Sequence, residues 1–483
     1  MERTLPSNIN YQDVLPLSVP AIARRRRFYP QNGTTFNAAG SNEIRIEIAS
    51  MNSLLDTQHS YLEFEVVNSN AGQTVGLDTG GGAIFFDTLR IEQGGRVLSE
   101  CQAYNRLHSA ILNPVQVSFN GQMTESLTQG QRGNNGAAGF AGAVAPAAAL
   151  LAGDTYGNFK HNIDTQIPVG GSYRFTMPIT SGLFTQDKLI PLPLVRSDAP
   201  ITISLTMTPS ANVGVWSAAP AVGDIVVRKI SYTAQLIEVG RDVMDQIRQT
   251  QNMMGGQLAI SGQDWEHQVG LVPANTTGET VVRMPSRKRS INSLFWIAQS
   301  DDYTNGAGGL AVSNSYSLSF CGSANVDSYQ AKVGSVVYPP TPIESIGAAV
   351  AAGALRRGEA IMELAKAFGT LGFVNPTGRL NTVTYGTDAV GMADGDNGDG
   401  VGGNLVPQSD DAHAFCPFGL DLTSFQHEAL EAGVDTQTMS QETNLILNVN
   451  AVGSGVENKN IHMWIIYDQH YYFNANGMVT FSN

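Results

Sequence analysis

The chain has 483 residues, more than one ordinary hydrophobic core organises, so two or three domains are expected. Only 14% of residues are charged while glycine and proline number 51 and 21, which excludes wholesale disorder and favours a β-rich, loop-heavy protein over a helical bundle. A formal net charge of -14 excludes a general nucleic-acid-binding surface, leaving only a local basic patch for that role.

From the N-terminus, MERTLPSNINYQDVLPLSVP has no apolar run of the kind a secretory signal needs, and no stretch reaches the roughly 18 apolar residues of a membrane span. The nearest, AAGFAGAVAPAAALLAG (137–153), is interrupted by Pro146 and is expected to be a pliant surface loop. The dense basic cluster ARRRRFYP (23–30) places Arg24, Arg25, Arg26 and Arg27 where they could meet anionic lipid, packaged DNA or an acidic neighbour, serve as an import signal, or stay solvated.

From residue 43 onward, period-two alternation dominates, the mark of half-buried antiparallel strands. In EIRIEI, Ile44, Ile46 and Ile48 share one face; in LEFEV, Leu62, Phe64 and Val66 oppose Glu63 and Glu65. YRFTMPI alternates at Tyr173, Phe175, Met177 and Ile179, ITISLTM at Ile201, Ile203, Leu205 and Met207, and a strand is expected over 226–239. Residues 241–256 turn polar and helix-tolerant and end in a glycine pair, as a connector should. Alternation then resumes in VVRMP, INSLFWIA, YSLSF, NLILNVN, IHMWIIY and MVTF. Two helices interrupt the pattern: QAYNRLHSAIL, with Tyr104, Leu107, His108, Ile111 and Leu112 on one stripe and Pro114 as its stop, and EAIMELAKAFG, with Ile361, Leu364, Ala365 and Phe368 before Gly369. Each adjoins a long Gly/Ala/Asp-rich excursion, 118–170 and 374–412, so the halves read as two copies of one plan. The reading is all-β, two consecutive sandwiches of about eight short strands each.

Chemistry-bearing motifs are sparse. Cys101, Cys321 and Cys416 are far apart and lack CxxC spacing, so neither a disulfide framework nor a zinc site is expected, and folding in a reducing cytosol or nucleus is the simpler reading. The eight histidines form no HxH pair; the one local grouping, His462, Asp468 and His470, is expected to be strand and turn surface rather than a metal site. DGDNGDG (394–400) offers Asp394, Asp396 and Asp399, but Gly398 and Asp399 occupy the fifth and sixth places, against the calcium-loop pattern, so a solvated acidic loop is expected. Nucleophile-elbow and phosphate-loop signatures are missing as well, so no enzyme and no cofactor are expected. The sequons Asn32-Gly33-Thr34 and Asn275-Thr276-Thr277 carry no expected modification without a signal peptide.

Several blocks in order resemble the double jelly-roll major capsid proteins of double-stranded DNA viruses, most closely those of polinton-like viruses and virophages. They are NSLLDTQHSYLEFEV (52–66), LRIEQGGRVLSECQAYNRLHSAI (89–111), SGLFTQDKLIPLPLVRSDAPITISL (181–205), SYQAKVGSVVYPPTPIE (328–344), EAIMELAKAFG (359–369), FGLDLTSFQHEALEAGVDT (418–436) and YDQHYYFNANGMVTF (467–481). The resemblance implies an arm (1–42), a first jelly roll (43–240), a connector (241–256) and a second jelly roll (257–483). It also implies a homotrimer whose six jelly rolls form a pseudo-hexameric capsomer of an icosahedral virion shell, assembled in host cytoplasm or nucleus. Its partners would be neighbouring capsomers, penton and minor capsid proteins, and an internal membrane or genome reached through the arm, with Arg24, Arg25, Arg26 and Arg27 facing the interior. In SYQAKVGSVVYPPTPIE, residues 329–338 are expected to be one strand, with Pro339, Pro340 and Pro342 stiffening its exit toward the helix; prolines blocking an edge strand are the alternative. A carbohydrate- or receptor-binding β-sandwich surface protein is the competing function.

Overall fold

The computed structural model describes residues 21–73, 75–77, 80–116, 166–216, 220–300, 326–345, 357–369, 417–424, 433–437, 443–449 and 458–482, with Leu318 and Cys321. The expectations for 137–153, YSLSF, the DGDNGDG loop and Cys416 therefore lie outside the described residues, Leu318 excepted.

The first half contributes β1 (Ala21–Phe28), β2 (Thr35–Asn37), β3 (Glu43–Ile48), β4 (Leu54–Asn68), β5 (Val75–Leu77), β6 (Phe86–Gln93), β7 (Arg96–Gln102), β8 (Gln166–Ile167), β9 (Ser172–Met177), β10 (Ile190–Pro191), β11 (Ile201–Met207), β12 (Gly214–Trp216) and β13 (Ile225–Val239). The second contributes β14 (Gln257–Val272), β15 (Gly278–Met284), β16 (Ile291–Ser300), β17 (Val326–Val333), β18 (Val336–Glu344), β19 (Phe418–Asp421), β20 (Thr443–Val449), β21 (Lys459–Asn474) and β22 (Val479–Ser482). All described pairings are antiparallel, as alternation predicts for sheets with one buried face.

In the first half one sheet runs β1-β13-β4-β10, with β2 beside β13 and β9 beside β4, a second runs β3-β11-β6-β7, and a small third runs β12-β5-β8. In the second half the sheets run β14-β21-β16-β19, with β22 beside β21, and β15-β20-β17-β18. Position by position the two orders correspond: β1 with β14, β13 with β21, β4 with β16, β9 beside β4 with β19 beside β16, β3 with β15, β11 with β20, β6 with β17 and β7 with β18. The connector between the halves is the helix Arg241–Met253.

Alternation places the cores as expected. Ile44, Ile46, Ile48, Ile201, Ile203, Leu205, Leu62, Phe64 and Val66 are all buried. Phe64 sits among Phe85, Phe86 and Phe175, the Phe175 ring stacked 5.5 Å away. The second core centres on Trp296, stacked 4.0 Å from Phe418 and edge-on to Tyr329. Burying a large apolar side chain of this kind contributes on the order of 2 kcal/mol.

Four findings revise the local expectations. Residues 21–28 and 35–37, expected within an arm, are strands that both pair with β13. Glu65, expected on a solvated face, is buried, because a bulge in β13 brings Arg228 and Lys229 onto it at 2.7 and 2.8 Å; the Arg228 hydrogen bond leads in lowering its pKa to about 2. The helix from Tyr104 does not stop at Pro114 but runs through a π-helical stretch, Leu107–Leu112, into Asn113–Gln116. The register change falls just before Pro114, where a missing N–H is tolerated.

The double-proline stretch is the fourth. Residues 329–338 are not one strand: Val333 pairs with Val336 across a tight turn at Gly334 (φ 59°) and Ser335, and the prolines lie inside β18, the edge of its sheet. An edge strand needs no N–H on its outer side, which is where a sheet accepts proline.

Candidate functional site

The two sandwiches meet along a polar seam, built where β14 of the second is gripped by the first. Asp264 of β14 is fully buried, and its Oδ1 accepts hydrogen bonds from Ser99 Oγ of β7 at 2.9 Å, from the backbone N–H of Gly182 at 3.1 Å and from that of Trp265 at 3.0 Å. Burial pushes this carboxyl above the usual range, and those hydrogen bonds oppose the shift. Gly182 and Gly262, one from each sandwich, permit the approach: a Cβ on Gly262 would lie 2.2 Å from the Gly182 carbonyl, and a Cβ on Gly182 would lie 2.8 Å from Asp264 Cβ.

Beside this hub, Arg106 of the first-half helix reaches His462 of β21, 2.9 Å from Nε2 and 3.3 Å from Nδ1. His462 Nδ1 is in turn 3.1 Å from Nε2 of His267 on β14, the two rings stacked 5.3 Å apart. Arginine only donates, so His462 Nε2 accepts, its proton sits on Nδ1, and His267 Nε2 accepts that proton's hydrogen bond. Burial, then the Arg106 charge, holds His462 well below the ordinary imidazole range; the same two causes lower His267 to about 3. On the first-half helix, burial alone lowers His108 to about 4.

A third group closes the seam at the β22 turn. Gln93 Nε2 donates to the carbonyls of Ala199 and Gly477 at 3.0 and 2.9 Å, and its Oε1 accepts from the Val479 N–H at 2.5 Å. Gln469 Nε2 donates to the Leu98 carbonyl at 3.2 Å, and Arg196 N–H to the Gly477 carbonyl at 3.0 Å. Two cavities flank β14, of about 560 Å³ and 430 Å³, with Trp265 in the wall of both. Polar pairing at this density fixes one orientation of the two sandwiches, because sliding strands buried donors and acceptors.

Residues singled out from sequence fall elsewhere. Arg24, Arg25, Arg26 and Arg27 are exposed on β1, at the opposite side of the first sandwich from β7. Arg24 pairs with Glu238 at 3.3 Å and Arg27 with Glu63 at 3.0 Å, whereas Arg25 lies over Tyr61 and Arg26 over Phe28 and against Met51 Sδ. His462, Asp468 and His470 are separately engaged: Asp468 accepts from Ser290 and Asn292 at 2.7 and 2.6 Å, and His470 Nδ1 is 2.8 Å from Ser261 Oγ. Among the described residues no three His, Cys, Asp or Glu side chains are grouped to hold a metal ion. Sequence reasoning missed Asp264, Ser99 and Gln93, whose partners across the seam lie 82 to 386 positions away.

Two eight-position sandwiches of one strand order, joined in a single chain, define a double jelly roll. No protein-family model and no curated protein matches the chain. Solved structures do match over its whole length. VP54 of PBCV-1, fitted into a reconstruction of the virophage Sputnik, aligns at a TM-score of 0.53 and 10% identity over 98% of this chain and 99% of that one. The structure of the Sputnik virophage aligns at 0.53 and 11% over 100% and 93%, and the PBCV-1 virus capsid at 0.51 and 10% over 98% and 99%. This chain has the double jelly-roll fold of those viral capsid structures.

Proposed function

We propose that this chain is the major capsid protein of a double-stranded DNA virus. Three copies form a pseudo-hexameric capsomer, and capsomers tile an icosahedral shell. Its work is self-association rather than catalysis. The supporting observation is the seam: a chain that locks two like-ordered sandwiches with buried Asp264, Gln93 and the Arg106–His462–His267 relay supplies one third of a six-fold ring as a rigid unit. The full-length likeness to capsid structures points the same way.

In this reading 43–240, completed by β1 and β2 from the 1–42 arm, and 257–483 are the two jelly rolls, and 241–256 joins them. Neighbouring capsomers, penton and minor capsid proteins are its partners in the virion. Sedimentation of the purified chain tests the reading. It predicts a particle of about three times 51.5 kDa, persisting at micromolar concentration. A clean monomer there, or saturable binding on a glycan array by such a monomer, contradicts it and favours a receptor-binding sandwich.

A further inference from the structure

The correspondence between the halves carries the seam one step further. Within the chain, β14 and β21 of the second sandwich pack against β7 and the helix that follows it, through Asp264 on Ser99 and His462 on Arg106. The strands corresponding to β14 and β21 are β1 and β13; those corresponding to β7 and its helix are β18 and the helix Arg357–Ala367. The hairpins support that pairing of parts: β6 turns into β7 through Gly94 and Gly95, β17 into β18 through Gly334 and Ser335, and a helix follows each in sequence.

The surfaces that would form a second seam are thus both present, at opposite ends of the chain. Both face solvent. Seven of the eight β1 residues are exposed, and Ile22 of β1, Val336 of β18 and Met362 of the helix are exposed large apolar side chains. Their charges are complementary. On β1, Arg25 and Arg26 rest on Tyr61, Phe28 and Met51 rather than on carboxylates, while Glu344 at the end of β18 and Glu359 in the first turn of the helix are exposed neighbours, joined by the Glu344 N–H to Glu359 Oε2 at 3.1 Å. Prolines in β18 oppose strand addition at that edge, so the contact is side-chain packing, as between β7 and β14, which belong to separate sheets.

We propose that β1 of one copy seats against β18 and the Arg357–Ala367 helix of the next, with Arg25 and Arg26 meeting Glu344 and Glu359. The proposal rests on the capsomer reading and names its interface. The contact is head-to-tail: three repeats alternate with three in-chain seams and close a ring of six sandwiches.

A charge swap tests it. R25E/R26E and E344R/E359R should each raise the concentration at which trimers dissociate by about tenfold or more, while the four changes together restore assembly toward wild type. Circular dichroism checks that each variant folds. As a second measurement, a chain carrying R25C and E359C should give covalent dimers and trimers on a non-reducing denaturing gel, and a chain carrying either substitution alone should not. Trimers indifferent to both reversals, without intermolecular cross-links, overturn this interface and leave the capsomer reading standing. A monomeric wild type overturns both.

Discussion

Asp264 and the buried histidines make the seam sensitive to single atoms and to protons. Because burial raises the Asp264 pKa above its unfolded value, its ionised form is a cost at neutral pH, growing as pH rises through the folded value. Asp264→Asn keeps an acceptor for Ser99, Gly182 and Trp265 without a charge, so it should be no less stable than wild type at pH 8. Asp264→Leu strands those three donors and should cost about 3 kcal/mol or more in denaturant unfolding. The histidines act oppositely. His108, His267 and His462 are held below 6.5, so their contribution is complete above that pH and is lost as pH falls, toward about 4 for His108 and about 3 for His267. Each should add about 1.4 kcal/mol per pH unit to the acid slope of stability, and His108→Leu should remove about one proton's worth, as read from unfolding midpoints between pH 6.5 and 4. The sequence marked Arg24 to Arg27 because four like charges stand together. It was silent on Asp264, because one carboxylate in GQDWEH becomes a hub only when Ser99, 165 positions earlier, is folded against it.

At the scale of elements, strands with one buried face were legible and strands gripped on both sides were not. β3 and β11 alternate cleanly, whereas β14 buries Ile260, Asp264 and Trp265 without a two-residue period, since the first sandwich covers what would otherwise be its solvent face. The β17–β18 hairpin did carry a local signal, Gly-Ser between two valines, which the proline run overshadowed. Once β18 is an edge strand, Pro340 and Pro342 become guards against further pairing. Pro340→Thr/Pro342→Thr should leave the fold intact and increase aggregation, followed by light scattering at constant concentration; unchanged scattering would remove the guarding role.

For the whole molecule, the proposed capsomer requires three rigid pairs of sandwiches to close a ring. A net charge of -14 per copy opposes closure at long range, while the arginines of β1 and the glutamates near β18 favour it at contact. Capsomer-to-capsomer association should therefore increase from low to moderate ionic strength, as turbidity or sedimentation would report, with the trimer persisting throughout. The duplication was legible from composition and recurrent alternation, and the strand orders of the two halves make it explicit. Which faces remain for neighbours was not legible, because that depends on which edges the in-chain seam consumes. Class averages of the purified chain under the electron microscope decide whether the ring forms. The capsomer predicts a threefold ring of six lobes; isolated two-lobed particles at micromolar concentration would contradict it.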